Sequence, residues 1–381
     1  MIVRHLKSCV VQLAASLLAL VVVPAAGESR EEVRFAAPTP GGNLVLAIHA
    51  ATDIDALEPL IRDFQAASAP DVTVTYTEYQ TNDLFAVARD DCLHRSNTGR
   101  SSAQIDVIIS SSVDQLVKLV NDGCATPHRS RETAAVPDWA KWRDEVFGFT
   151  FEPALIVYNR DLVPSHQVPR TRVELVELLR SRPELYAGKV VTYDVTQSGI
   201  GYLFAFYDAY SGATTYGRLI EALGRARAVV RPTSADMVAD IAGGRLLIGY
   251  NVLGSYAYRA LRDGAPIGIV VPREYALVLS RGVMIPVGAK QPELAGRLLD
   301  YLLSSRGQQK ASAGAFPFGF DAPLPPDIDG PVMLARSSLF RPISISVELL
   351  AVQDRAKRER FLTEWGRSLA PVASALDLNT P

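Results

Sequence analysis

The sequence predicts an α/β protein of two lobes, each a mostly parallel sheet flanked by helices, joined by a hinge of two crossing strands. Three observations predict it. From residue 44 onward, short apolar runs alternate with segments of helical period, the order that builds strand-helix-strand units. Two of the apolar runs end in turns rich in Ser, Thr and Gly that open helices, at residues 110–112 and 194–201. Residues 266–309 then hold two apolar runs separated by Pro272, a Val287-Gly288 turn and a helix opened by Pro292, a stretch suited to returning the chain to a sheet begun earlier.

The ends and the composition limit the function. Arg4 and Lys7, an apolar stretch over residues 10–23 and the small residues Ala25, Ala26 and Gly27 have the three-part order of a secretory signal over residues 1–27. The apolar stretch is interrupted by Gln12 and Ser16 and is shorter than the ~20 residues a spanning helix needs, so cleavage and release into the periplasm are expected. Of 39 Lys and Arg residues, Arg4 and Lys7 leave with this segment, and the remainder against 41 acidic residues carries a net charge of −4. With no basic block, nucleic acid is excluded as a partner. Cys92 and Cys124 remain, compatible with one disulfide or with two separate buried thiols. No C-x-x-C or His-rich cluster marks a metal or cofactor.

After a leader over residues 28–42, residues 44–49 form a strand. A helix follows with Leu57, Leu60, Ile61 and Phe64 as its buried stripe and Thr52 or Asp53 as its cap, and residues 72–76 form the next strand. Residues 80–104 read as polar connecting chain. The strand at 105–109 runs into Ser110, Ser111 and Ser112, ahead of a helix carrying Val113, Leu116, Val117 and Val120; Ser112 and Gln115 have capping-box spacing. Ser110 and Ser111 stand where open α/β sheets place ligands.

Residues 139–160 are aromatic and extended, with Pro153, and are read as the first crossing between lobes. In the second lobe Thr171-x-x-Glu174 caps a helix, residues 189–193 form a strand, and Gln197, Ser198 and Gly199 lie in a turn that opens an apolar helix. Such a turn presents unpaired backbone N–H groups and the positive end of a helix dipole, a setting for an anion. Helices near 215–224 and 234–242 and apolar runs at 228–230 and 246–250 complete that lobe and lead to Asn251, Ser255 and Tyr256. The expected division is 43–152 and 268–381 for the first lobe and 153–267 for the second, with residues 267–271 as the second crossing. A long amphipathic helix over 347–369 should pack onto the first lobe through Leu349, Leu350, Phe361, Leu362, Trp365 and Leu369.

Taken from residue 44 to 309, this layout resembles the type II periplasmic binding fold and, within it, family 1 of the bacterial extracellular solute-binding proteins, which includes ferric-iron binders. The tail sequence AKRERFLTEW is similar to the subgroup of phosphoglycerate-transport regulatory proteins. The resemblance implies a monomer that hands a solute to an ABC permease or signals to a two-component sensor kinase. Ferric binders hold iron through a His, a Glu and a Tyr-Tyr pair. Matched to that pattern, Asp53 stands at the His position, Ser111 at the Glu position, and Ser255-Tyr256 keeps only the second phenol. One carboxylate and one phenol are a poor set for ferric iron.

The groups left at those positions, Thr52, Asp53, Ser110, Ser111, Gln197, Ser198, Gly199, Asn251, Ser255 and Tyr256, suit a small phosphorylated or carboxylated anion without a metal. Each helix end supplies about 0.3 to 1 kcal/mol. Micromolar binding needs roughly 8 kcal/mol, so several groups must converge. An enzymatic reading with Ser198 as nucleophile is disfavoured, because the turn lacks the G-x-S-x-G elbow and no His has the context of a base.

Overall fold

A computed structural model describes residues 32–101, 103–319, 322–330 and 339–369, so the expected signal segment lies outside the described residues. The described residues open with β1 (Glu32–Phe35), β2 (Leu44–Ala51), α1 (Ile54–Ser68), β3 (Val72–Glu78), α2 (Thr81–Thr98), β4 (Val107–Ser110) and α3 (Val113–Asn121). Short pieces follow: β5 (Ala125–Thr126), α4 (Arg131–Ala135), β6 (Lys141–Trp142) and β7 (Val146–Gly148). The second lobe holds β8 (Glu152–Asn159), α5 (Arg172–Ser181), α6 (Pro183–Tyr186), β9 (Val190–Tyr193), α7 (Gly199–Ser211), α8 (Ala213–Arg225), β10 (Val229–Arg231), α9 (Ser234–Ala242), β11 (Ile248–Leu253), α10 (Gly254–Arg262), β12 (Ile267–Val270) and β13 (Ala276–Leu279). The remaining described elements are β14 (Gly282–Pro286), α11 (Pro292–Leu303), α12 (Ser305–Ala313), β15 (Ile328–Asp329), β16 (Phe340–Pro342) and α13 (Arg355–Leu369).

Each sheet has a parallel centre widened by antiparallel strands. In the first, ordered β1-β3-β2-β4-β14-β7-β6, β2 runs parallel to both β3 and β4. In the second, ordered β10-β9-β11-β8-β12-β15, β9 runs parallel to β10 and β11, and β8 is antiparallel to β11, β12 and β13. The central parallel strands β2, β4 and β9 are mostly apolar, as burial on both faces requires, whereas β3 alternates apolar residues with Thr73, Thr75 and Thr77. One core, with Leu57, Phe64, Val74 and Leu298, fills one face of the first sheet. A second core begins at Val113, Leu116 and Val117 on α3 and continues through Phe151 into the second sheet.

Several elements differ from the sequence expectation for identifiable reasons. Residues 80–104, read as connecting chain, contain the five-turn helix α2; its apolar positions are too few to show a helical stripe, and the Cys92–Cys124 disulfide holds it beside the end of α3. Part of the expected leader is β1, which pairs with β3. The strand predicted as the second crossing, β12, belongs to the second sheet, where Gly268–Val270 pair with β8. The chain passes between sheets at Ser280-Arg281, between β13 and β14, alongside Thr150-Phe151, between β7 and β8. There the Phe149 N–H donates to the Arg281 carbonyl at 3.0 Å, and the Arg281 N–H donates to Thr150 Oγ1 at 2.8 Å.

The tail also departs from expectation. Residues 347–351 form a separate 3-10 turn that packs on α3, and α13 packs on α8 of the second lobe, where Phe361 meets Tyr202, Phe206 and Tyr216. The amphipathic period marks the apolar face of a helix but not which lobe covers it. The tail thus touches both lobes: Gln353 donates to Asp114 of α3, and the Tyr202 hydroxyl of α7 donates to the Val352 carbonyl at 3.1 Å.

Candidate functional site

A small cavity of about 50 Å³ lies between the lobes, bordered by Thr52, Asp53, Glu78, Thr81 and Ser111 of the first lobe, by Tyr193, Ser198, Thr233, Ser234 and Tyr256 of the second, and by Arg281 at the crossing. Five helices begin at its wall: α1 after Asp53, α2 after Gln80, α7 after Ser198, α9 after Thr233 and α10 after Leu253. The strands that precede them end at the cavity, because strand carboxyl ends and the following helix starts share one edge of an open α/β sheet. Their dipoles make that edge electropositive.

The lobes touch beside the cavity. The Gly199 N–H donates to Thr81 Oγ1 at 2.8 Å and the Asn82 amide donates to the Gln197 carbonyl at 2.6 Å. A Cβ on Gly199 would lie 2.4 Å from Ser112 Oγ and 2.6 Å from Gln115 Nε2, so this close approach needs glycine.

Arg281 organises the floor. It is 1% exposed and pairs with Glu152 through Nε and Oε1 at 2.7 Å and through Nη2 and Oε2 at 3.2 Å, while Nη1 donates to Thr52 Oγ1 at 2.8 Å. Burial opposes the guanidinium charge, but Glu152, Tyr256 and Asp53 together outweigh it and move the pKa of Arg281 up. Glu152 also accepts from the Ser255 hydroxyl and from Thr150 Oγ1. The guanidinium groups of Arg281 and Arg259 each lie 5.7 Å from the centroid of the Tyr256 ring. The Tyr256 hydroxyl donates to Asp53 Oδ1 at 3.2 Å. Burial, aided by Asp53 and Glu152 and opposed by Arg281, raises the Tyr256 phenol; burial does the same for Tyr193, whose hydroxyl shares a 2.6 Å hydrogen bond with Ser234 Oγ. Both phenols stay protonated at neutral pH and can serve as hydrogen-bond donors.

Of the residues singled out in the sequence, Thr52, Asp53, Ser111, Ser198 and Tyr256 border the cavity. The others support it. Ser110 Oγ accepts from the Ser112 N–H, the Gln197 side chain donates to Asp194, Gly199 and Gln197 make the lobe contact, and Ser255 holds Glu152. Asn251, at φ 61°, donates to Asp208 in a buried network with Arg172, Tyr250 and Tyr275. Two expected caps are built otherwise. Asp53 makes no side-chain cap, since the Ile54 N–H donates to Glu78 Oε2 at 2.9 Å, and Ser112 donates to Asp114 while Gln115 turns to Asn82.

The sequence reading missed Arg281, Glu78, Tyr193 and Thr233-Ser234. Arg281 carried a signal, a lone cation in the run LVLSRGVM, and Tyr193 is the last residue of a strand that feeds an anion-type turn. Ser198 accepts from the Gly201 N–H at 3.2 Å as the cap of α7.

Residues 50–309 match the family described as bacterial extracellular solute-binding protein. The chain belongs to this family. It is a solute-binding protein of the two-lobed periplasmic binding class. The substrate binding protein of an ABC transporter from Agrobacterium tumefaciens is 30% identical over 89% of this chain and 98% of that one, with a TM-score of 0.79. Two further proteins share the fold at lower identity. Iron-bound HitA from Pseudomonas aeruginosa is 13% identical over 85% of this chain and 99% of its own, with a TM-score of 0.64. AfuA from Actinobacillus pleuropneumoniae, solved with fructose-6-phosphate, is 17% identical over 86% of this chain and 99% of its own, with a TM-score of 0.65. No functionally curated sequence matches the chain.

Proposed function

We propose that this solute-binding protein captures a small organic anion, phosphorylated or carboxylated, in the interlobe cavity and delivers it from the periplasm to an ABC permease. The observation that carries the reading is the convergence of the α7, α9 and α10 starts on one cavity with the hydroxyls of Tyr193, Ser198, Thr233 and Tyr256 and the guanidinium of Arg281. Donors of this kind recognise oxyanions, and each is worth more once closure excludes water. The lobe contact at Thr81 and Gly199 supports closure over the solute, with Thr150-Phe151 and Ser280-Arg281 as the bending points. The agreement with two relatives, one described as belonging to an ABC transporter and one holding a sugar phosphate, supports the same class of task.

An iron cargo has less support. The positions matched to the ferric-binder ligands hold Asp53, Ser111 and Ser255-Tyr256, and one carboxylate with one phenol is a poor set for ferric iron. The export signal at residues 1–27 and a free, monomeric periplasmic form belong to the same proposal; among the described residues no helix is long and apolar enough to cross a membrane.

A thermal-shift panel of sugar phosphates, phosphoglycerates, di- and tricarboxylates and ferric citrate tests the solute class. Stabilisation by one or more metal-free anions is expected; stabilisation by iron alone would contradict the proposal. Deleting the gene should abolish uptake of that solute. Unchanged uptake with lost transcriptional induction would assign the protein to a sensor kinase instead.

A further inference from the structure

Residues 346–369 meet both lobes at adjacent positions. The Val352 carbonyl accepts from the Tyr202 hydroxyl of α7, in the second lobe, at 3.1 Å, and the side-chain amide of the next residue, Gln353, donates to Asp114 of α3, in the first. Consecutive Cα atoms lie about 3.8 Å apart. Two anchors so close together cannot both follow lobes that move apart, so opening has to break one of them.

Each anchor is reinforced on its own side. Toward the first lobe, the 3-10 turn Val347–Ala351 buries Leu349 against α3, and the Ile345 N–H donates to the Trp139 carbonyl at 2.7 Å. Toward the second, Phe361 packs among Tyr202, Phe206 and Tyr216, and the Arg358 guanidinium lies 4.8 Å from the centroid of the Tyr202 ring. A Cβ on Gly224 of α8 would lie 2.0 Å from the Ser368 carbonyl oxygen, so the end of α13 touches α8 backbone to backbone.

The first-lobe anchor sits where the lobes touch. Asp114 is fully buried and also accepts from Ser112 Oγ at 3.1 Å, and Ser112 is one of the side chains that would meet a Cβ on Gly199. A hydrogen bond from Gln353 to a buried carboxylate is charge-assisted and stronger than a neutral one.

We propose that residues 346–369 form a clasp, carried on the second lobe by α13 and fastened to the first through Gln353, that biases the lobes toward the closed arrangement. This rests on the proposed closure over a solute and adds what regulates it. A bond made only while the lobes are together favours that arrangement by its own free energy, and the cavity opens to solute when the bond at Gln353 yields.

Small-angle scattering of the signal-free chain without added solute tests this. Gln353→Ala removes the fastening, and an insert of four glycines between Val352 and Gln353 keeps both anchors but uncouples them. Glu359→Ala, on the exposed side of α13 where Glu359 pairs with Arg355, is the control. Melting curves verify that all three fold. Gln353→Ala should lower the ratio of closed to open molecules about tenfold, read as a larger radius of gyration, and the insert should act in the same direction. Opening in at least one of these two that Glu359→Ala does not share is required. No opening in either, or the same opening in Glu359→Ala, overturns the inference. No solute enters the measurement, so that result leaves solute capture standing, while failure of the thermal-shift panel would not alter the scattering.

Discussion

Arg281 and Glu152 face each other at the two points where the chain passes between the sheets, both fully buried and joined by two hydrogen bonds. One pair therefore couples the crossing segments, the cavity floor and, through Thr52, the start of α1. Removing one partner leaves an uncompensated buried charge. Arg281→Met should lower unfolding free energy in urea by about 3 to 5 kcal/mol. The double variant with Glu152→Leu should recover part of that loss, because no lone charge remains. A double variant no more stable than Arg281→Met would show that the pair is not the reason for the loss.

Ser198 and Tyr256 were alike in the sequence as ligand candidates, and the structure separates them. Ser198 caps α7, so Ser198→Ala should cost about 1 kcal/mol of apo stability as well as affinity. Tyr256→Phe removes only the hydroxyl bound to Asp53 and should weaken solute binding with a smaller change in apo melting temperature. Equal losses of apo stability in both variants would make Tyr256 a structural residue.

Gly199 tests closure separately from chemistry. Its Cβ space is taken by Ser112 and Gln115 of the other lobe, while alanine fits the helix start that Gly199 occupies. Gly199→Ala should weaken solute binding by about tenfold or more and leave a more open molecule in small-angle scattering. Unchanged affinity and shape would mean that this contact does not form on closure.

The Cys92–Cys124 bridge closes a sequence separation of 32 residues around α2, β4 and α3. Loop-closure entropy gives it about 3 to 4 kcal/mol. Reduction, or Cys92→Ser with Cys124→Ser, should lower denaturant stability by about that amount with the far-ultraviolet circular dichroism unchanged. Stability unaffected by reductant would show that the bridge is not formed in solution.

Asp63 gives a signature at low pH. The Arg306 side-chain hydrogen bond, with a smaller contribution from Tyr301, holds its carboxyl at about 2, below the usual 3.8. A depressed folded-state pKa contributes stability above the unfolded value, and that contribution is lost as pH falls from about 4 through about 2. The pair is partly exposed, so the expected contribution is about 1 kcal/mol or less. Asp63→Asn should flatten the stability profile in that window and leave it unchanged near neutral pH apart from a constant offset.

Much of the fold was legible because it follows from short-range pattern. The stripe Leu57, Leu60, Ile61, Phe64 gave α1, and the Thr171 and Ser198 turns gave the starts of α5 and α7. What was missed depends on contacts far apart in sequence. Whether β12 or the Ser280-Arg281 link crosses between lobes is decided by pairing with β8, more than a hundred residues earlier. The side of the molecule that α13 covers is decided by Tyr202 and Tyr216. In the cavity, the short turns showed Ser111, Ser198 and Tyr256, but Glu78 ends β3 and Arg281 links β13 to β14, where a charge reads as an interruption of an apolar run until the partner strands are in place.

The most direct test of the central claim is mass spectrometry of the solute retained by the chain. Signal-free protein would be incubated with a metabolite extract, passed through gel filtration and then denatured, with Tyr256→Phe treated in parallel. One small metal-free organic acid should be released from the wild-type chain in roughly stoichiometric amount and be depleted in the variant. Release of iron, of a neutral or purely cationic compound, or of no solute above the variant's level would contradict capture of an organic anion in the interlobe cavity.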